Sequence, residues 1–132
     1  MFRDGGTEMR YEELQQILGE RFPQLLPSIS HYFDTYGYDY FAPHILYHAV
    51  LNPYVEELLQ KENDNKLLKE VFTFYEELAK SGDEEVKNLL QVTLLEALWE
   101  EKKLLSKACV YMLPETKKIN DAIRAYSSLP VE

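Results

Sequence analysis

Two histidines, His44 and His48, stand four residues apart, a spacing that places both imidazoles on one face of a helix and is typical of half a metal site. A complete site needs further ligands. No Cys is nearby and no Glu adjoins His44, so only His31 or Asp39 could complete the set. We therefore predict no metal ion, and expect the imidazoles to pack among neighbouring tyrosines and to hydrogen-bond to their hydroxyls.

Adjacent carboxylates are the other candidates for chemistry, because general acid–base catalysis uses two carboxyl groups that converge in a cleft. Neighbouring side chains on a helix diverge by about 100°, so such pairs are expected to be solvated surface groups. The pairs are Glu12–Glu13, Glu56–Glu57, Glu76–Glu77, Glu84–Glu85 and Glu100–Glu101. The sequence has no glycine-rich phosphate loop, nucleophile elbow or Ser/His/Asp phrase. We predict no catalytic residues, no cofactor and no enzymatic activity.

The single cysteine, Cys109, lies in an apolar phrase and is expected to be a small buried hydrophobic residue. One cysteine cannot form an internal disulfide, which is typical of a reducing compartment. No apolar run approaches the roughly 18 residues that a membrane span needs. Residues 1–8 also lack a signal-peptide segment. The expected location is the cytoplasm.

The acidic charge of the chain is unevenly distributed. The formal net charge is −9, which repels nucleic acid and anionic membranes and attracts a basic protein. No Lys or Arg occurs in residues 22–60, where Asp34, Asp39, Glu56 and Glu57 are the only formal charges. Eight aromatic residues lie among the 23 residues from 32 to 54. We predict that this segment contacts a basic protein partner, and that the chain binds neither nucleic acid nor membrane.

Three tyrosines in this segment, Tyr36, Tyr38 and Tyr40, are spaced two residues apart, so they cannot share one helical face. Gly37, between the first two, indicates a loop or extended corner. Some of their rings must point outward, and tyrosine is enriched at protein interfaces. The predicted partner-binding residues are Tyr36, Tyr38, Asp39, Tyr40, Asp34, Glu56 and Glu57. The alternative is that the tyrosines fill a seam between the N-terminal helices and the core, with their hydroxyls at the surface.

The elements that must position these residues are helices. Apolar residues recur at spacings of three and four over residues 65–79. The phrase Ser81-Gly82-Asp83 then ends that helix and caps another over residues 84–99. The second helix has two apolar faces, one of which includes Val92, so we expect it to be the central helix of the fold.

Further helices are predicted over residues 10–22, 24–36, 43–51, 53–61, 102–111 and 115–126. The two helices over residues 43–51 and 53–61 are short and should meet at a proline kink. The expected fold is all-α, an antiparallel helical stack of about six to seven helices joined by short loops. Residues 1–132 should form a single helical domain in which residues 1–6 are flexible.

Several phrases carry a family resemblance. The acidic helix start over residues 83–90, entered by a turn from an amphipathic helix, resembles the second helix of a HEAT-type repeat. Over residues 43–122 the chain resembles a family of small bacterial all-helical proteins that look like immunity proteins encoded beside polymorphic secreted toxins. The matching phrases are Pro43-His44, Leu51-Asn52-Pro53-Tyr54, residues 72–78, Ser81-Gly82-Asp83-Glu84-Glu85-Val86, Val92-Thr93-Leu94-Leu95-Glu96 and Pro114-Glu115-Thr116.

The resemblance implies HEAT-like helix pairs and a role as an immunity protein, which binds and occludes one cognate bacterial toxin. The toxin would present a basic surface to the acidic segment. The alternative function is a HEAT-like helical adaptor or scaffold that docks a protein or peptide partner in a groove.

Overall fold

The computed structural model describes residues 9–37, 43–61 and 64–127, and every regular element within these ranges is helical. The α-helices are α1 (Leu14–Arg21), α2 (Leu26–Tyr36), α3 (Pro43–Leu46), α4 (Asn52–Lys61), α5 (Asn65–Ala79), α6 (Glu84–Asn88), α7 (Glu96–Leu98), α8 (Lys102–Tyr111) and α9 (Pro114–Ser127). Short 3-10 turns, Tyr11–Glu13 and Pro23–Leu25, lead into α1 and α2. The predicted flexible residues 1–6 lie outside the described part of the chain.

Two helical runs each contain a π-helical stretch, and the helix continues through it. Tyr47–Leu51 joins α3 to α4, and Leu89–Leu95 joins α6 to α7. The described residues therefore form seven continuous helical runs, which confirms the all-α stack of six to seven helices. The two short helices predicted to meet at a proline kink near Pro53 form one continuous helical run. Pro53 has no N–H to donate, and the π-helical stretch directly before it adjusts the backbone hydrogen bonds locally.

The buried side chains of the described helices form one contiguous core. Its largest fully buried side chains come mainly from α1, the run 43–61 and α5. The run 84–98 is central as predicted, because its leucines are buried on two sides. Val92 departs from the prediction, since 45% of it is exposed, and one of the two expected apolar faces is therefore open at this residue.

The turn between α5 and α6 also holds the N-terminal segment in place. The Asp83 side chain accepts a hydrogen bond from the Glu85 N–H at 3.0 Å, as expected of an N-cap. Its other carboxylate oxygen accepts from the Tyr11 N–H at 2.8 Å. The buried Ser81 hydroxyl donates to the Met9 carbonyl at 2.7 Å. The residues Ser81-Gly82-Asp83 therefore hold the end of α5, the start of α6 and the N-terminal segment together.

Glu76 is buried, contrary to the prediction that its carboxylate pair is solvated. Its oxygens accept hydrogen bonds from the Glu115 N–H at 2.9 Å, the Thr116 N–H at 2.9 Å and the Thr116 hydroxyl at 3.0 Å. The first N–H groups of a helix have no partner within the helix, so Glu76 caps α9 from a neighbouring helix. Burial alone would raise the pKa of Glu76, but these hydrogen bonds outweigh it and the pKa is lowered.

Candidate protein-binding face

Two stretches without Lys or Arg lie side by side in the fold. The first is residues 22–60, and the second is residues 88–101 of the central run. The α3 helix and the π-helical stretch Tyr47–Leu51 both contact the π-helical stretch Leu89–Leu95, and α2 contacts Tyr47–Leu51 from its other side. We call the surface formed by α2, residues 43–51 and residues 89–101 the cation-free face.

Residues 43–51 form a ridge on this face with an open groove on either side. The tyrosine groove, of about 460 Å³, is lined by Pro27, Ser28, His31, Tyr32, Thr35, Tyr36, Ala49 and Val50. The histidine groove, of about 420 Å³, is lined by His44, Ile45, His48, Val92, Thr93, Glu96, Ala97 and Glu100. Neither lining set contains a Lys or an Arg, and the histidine groove alone is lined by carboxylates, those of Glu96 and Glu100.

In the tyrosine groove, one ring is buried and its neighbour is open to solvent. Tyr32 is buried, and its ring centroid lies 5.0 Å from that of Tyr36 and 5.1 Å from that of Phe33. Tyr36 is 58% exposed at the end of α2, which stops at Gly37 with a φ of 84°. Tyr32 is therefore part of the core, whereas Tyr36 is open to solvent, and contact of Tyr36 with a partner stays a prediction.

In the histidine groove, a polar network ties the two π-helical stretches together. The Nδ1 atom of His44 lies 2.5 Å from the Thr93 hydroxyl. The buried Asn52 donates to the Thr93 carbonyl at 3.0 Å, and its amide nitrogen lies 3.5 Å from Nδ1 of His48. Of the predicted tyrosine partners, Tyr47 donates its hydroxyl to the Leu14 carbonyl instead, and Tyr40 lies outside the described residues. The contact to Thr93 spans 49 residues of sequence, which no local pattern reveals.

Among the residues that the structure describes, no three His, Cys, Asp or Glu side chains are grouped so that they could hold a metal ion. His44 has an aromatic neighbour instead, since its ring centroid lies 5.9 Å from that of Tyr11. Asp39, one of the two residues proposed to complete a metal site, lies outside the described ranges.

The histidine groove also exposes apolar side chains beside carboxylates. Ile45 is 39% exposed and Val92 45% exposed on its two walls. Glu96 and Glu100 are exposed along one edge. Apolar groups left in water next to charged groups are a common composition for a protein-binding site.

The predicted acidic residues are scattered rather than gathered. Asp34 is exposed on α2, whereas Glu56 is half-buried. Burial, followed by the nearby Glu56 carboxylate, raises the pKa of Tyr75 in the core. Glu57 pairs with Lys61 at 2.6 Å. Neither Glu56 nor Glu57 lines either groove, so the structure does not bring them together with Tyr36.

Tyr38, Asp39 and Tyr40 lie outside the described residues, and their role in binding stays a prediction. The residues that sequence reasoning missed are Ile45, Val92, Glu96 and Glu100. The sequence did contain a signal for these residues, because no Lys or Arg occurs between Lys87 and Lys102. Only the fold shows that this stretch adjoins residues 43–51.

The fold and the site define an all-helical protein with an acidic, partly apolar face that carries no Lys or Arg. The chain belongs to the family DUF7674, a domain of unknown function, whose model matches residues 15–127. No curated protein and no solved structure matches the chain. Within the described residues, none of the helices has the length and apolar character needed to cross a bilayer.

Proposed function

We propose that the chain is a cytoplasmic immunity protein, which binds one cognate bacterial toxin through the cation-free face and covers that toxin's active site or substrate groove. The observation that carries this proposal is the contact between parts of two stretches without Lys or Arg, because α2 and residues 43–51 from the first stretch adjoin each other and residues 43–51 adjoin the π-helical stretch Leu89–Leu95 from the second. A basic toxin surface would meet carboxylates there and no opposing cation. The chain would act by occupying the toxin, without catalysing a reaction.

Charge and apolar contact would make different contributions to binding. The net charge of −9 would speed encounter with a basic partner, and the effect would weaken as salt screens it. Apolar side chains such as Tyr36, Ile45 and Val92 are already exposed, so burying them against the partner would slow dissociation. If the toxin is a nuclease, carboxylates on this face would occupy positions that substrate phosphates otherwise take.

The proposal is tested by co-expression with the product of the adjacent gene, scoring growth and co-purification together. We expect rescue and a stoichiometric complex. The variant Val92→Lys should lose both, because it puts a positive charge into the histidine groove, where it would repel a basic partner. The matched control is Val110→Lys, since Val110 is 80% exposed on α8, outside both grooves. Viable cells without this chain and no complex would contradict the immunity role.

A helical adaptor is the second candidate, and the tyrosine groove is the observation in its favour. It is open and about 460 Å³ in volume, with aromatic rings on one wall, which suits a bound peptide. An adaptor would bind several partners with micromolar affinity, whereas an immunity protein would bind one partner with nanomolar affinity. Titration of purified candidates by calorimetry separates the two.

A further inference from the structure

We infer that the histidine groove is the point at which the partner docks, and that it takes a basic segment with an arginine or lysine next to an aliphatic residue. The aliphatic side chain would lie on Ile45 and Val92, and the cation would lie against Glu96 and Glu100. The inference deepens the proposed function and rests on it, because it names the part of the cation-free face that recognises the partner and the chemistry of what is recognised.

The two apolar side chains of this site, Ile45 and Val92, are exposed. Ile45 comes from the helical run 43–61 and Val92 from the central run, so the two side chains stand on opposite walls of one groove. Each lies within or next to a π-helical stretch, and such stretches are frequent at functional sites. An aliphatic side chain inserted between them would remove apolar surface of both from water.

The acidic half of this site consists of two exposed carboxylates. Glu96 lies in the last turn of the central run, where the helix dipole disfavours a negative charge, and α7 ends at Leu98. Glu100 lies in the turn that follows, before α8 begins at Lys102. Within the described residues, neither carboxylate has an ion-pair partner in the chain. A cation in the groove would be attracted to both, so charge complementarity identifies a cationic occupant.

Arginine is the better fit of the two cations. Its planar guanidinium can bond two carboxylate oxygens at once, and it stays protonated at every relevant pH. The groove volume of about 420 Å³ leaves room for one such side chain and one aliphatic neighbour. The lining residues include no cation that would have to move aside.

The test uses a synthetic helical peptide with leucine and arginine on one face, and a second peptide in which glutamine replaces arginine. Binding is followed by amide and methyl chemical shifts in NMR. We expect saturable shifts at Ile45, Val92 and Glu96 with the arginine peptide, and about fivefold weaker binding of the glutamine peptide. No saturable shift, equal binding of both peptides, or shifts centred on another face would each overturn the inference.

The variant Glu96→Gln/Glu100→Gln separates recognition from folding. It should weaken binding of the arginine peptide about fivefold and yet change the midpoint of thermal unfolding little, because both carboxylates are exposed. The matched control is Glu84→Gln/Glu85→Gln, at the other end of the same run, where carboxylates are favoured. The control should lower the melting midpoint slightly and leave binding unchanged. Equal effects of the two double variants on binding would overturn the inference.

The two levels of the proposal fail in different ways. If the toxin complex forms and rescues growth but Glu96→Gln/Glu100→Gln binds the toxin as tightly as the unmodified chain, this docking site is wrong and the proposed function stands. If the arginine peptide binds in the groove but no toxin complex forms, the proposed function is wrong and the basic-segment site stands.

Discussion

Replacing Glu76 with glutamine should destabilise the protein more than any comparable surface change. Glu76 is 6% exposed, and both of its carboxylate oxygens accept hydrogen bonds from the start of α9. Glutamine has the same shape but only one acceptor oxygen. If that oxygen keeps the two bonds from Thr116, the amide NH₂ group must face the Glu115 N–H, and two donors then oppose each other.

The magnitude follows from these contacts. An orphaned buried N–H costs roughly 1–3 kcal/mol, and two hydrogen bonds to a charged acceptor become neutral ones at about 0.5–1 kcal/mol each. The sum is about 3 kcal/mol at neutral pH. For a chain of 132 residues this corresponds to a fall of roughly 10 °C in the midpoint of thermal unfolding.

The assay is urea unfolding followed by circular dichroism, with the exposed Glu70→Gln on the same helix as control. The control should stay within about 0.5 kcal/mol of the unmodified chain. Because the folded-state pKa of Glu76 is lowered, its stabilisation is complete above the unfolded pKa and is lost as pH falls through the folded one. The gap between Glu76→Gln and the unmodified chain should therefore narrow below about pH 4. Equal stability of the two glutamine variants at neutral pH would refute the capping role.

Two further substitutions probe the core that supports the cation-free face. Leu94→Asp should unfold the chain, because Leu94 is 1% exposed in the central run and an unpaired charge there costs more than about 4 kcal/mol. A retained helical spectrum and cooperative melting would contradict the assignment of that run to the core. Tyr47→Phe should cost about 1–2 kcal/mol in urea unfolding, because the buried Tyr47 hydroxyl donates to the Leu14 carbonyl at 2.7 Å and phenylalanine keeps only the ring. An unchanged unfolding free energy would show that this hydrogen bond adds nothing.

Local patterns predicted the helices well where local chemistry decides them. The helix predicted from residue 65 begins there, with the Asp64 side chain accepting from the Leu67 N–H at 3.0 Å. Asp83 caps the following helix as expected. The segment predicted over residues 102–111 matches α8 at both ends. In all three cases the apolar period lies within the helix, and in the first two a capping residue stands directly before it.

The predictions failed where distant partners decide the outcome. Glu76 looks like one half of a solvated pair, but its donors lie about 40 residues later, on α9. Pro53 indicated the junction of two short helices, but one helical run continues across it. The candidate site followed the same rule, since the sequence indicated an acidic, aromatic segment and only the fold brought residues 88–101 beside it. Glu56 and Glu57, predicted from composition alone, line neither groove.

The most direct test of the cation-free face is hydrogen–deuterium exchange on the chain, free and in complex with the product of the adjacent gene. Amides in residues 43–51 and 89–101 should exchange more slowly in the complex, while those around Lys66 and Lys69, which line a separate groove, should be unchanged. Protection confined to α5, α8 or α9, with none on the cation-free face, would contradict the account.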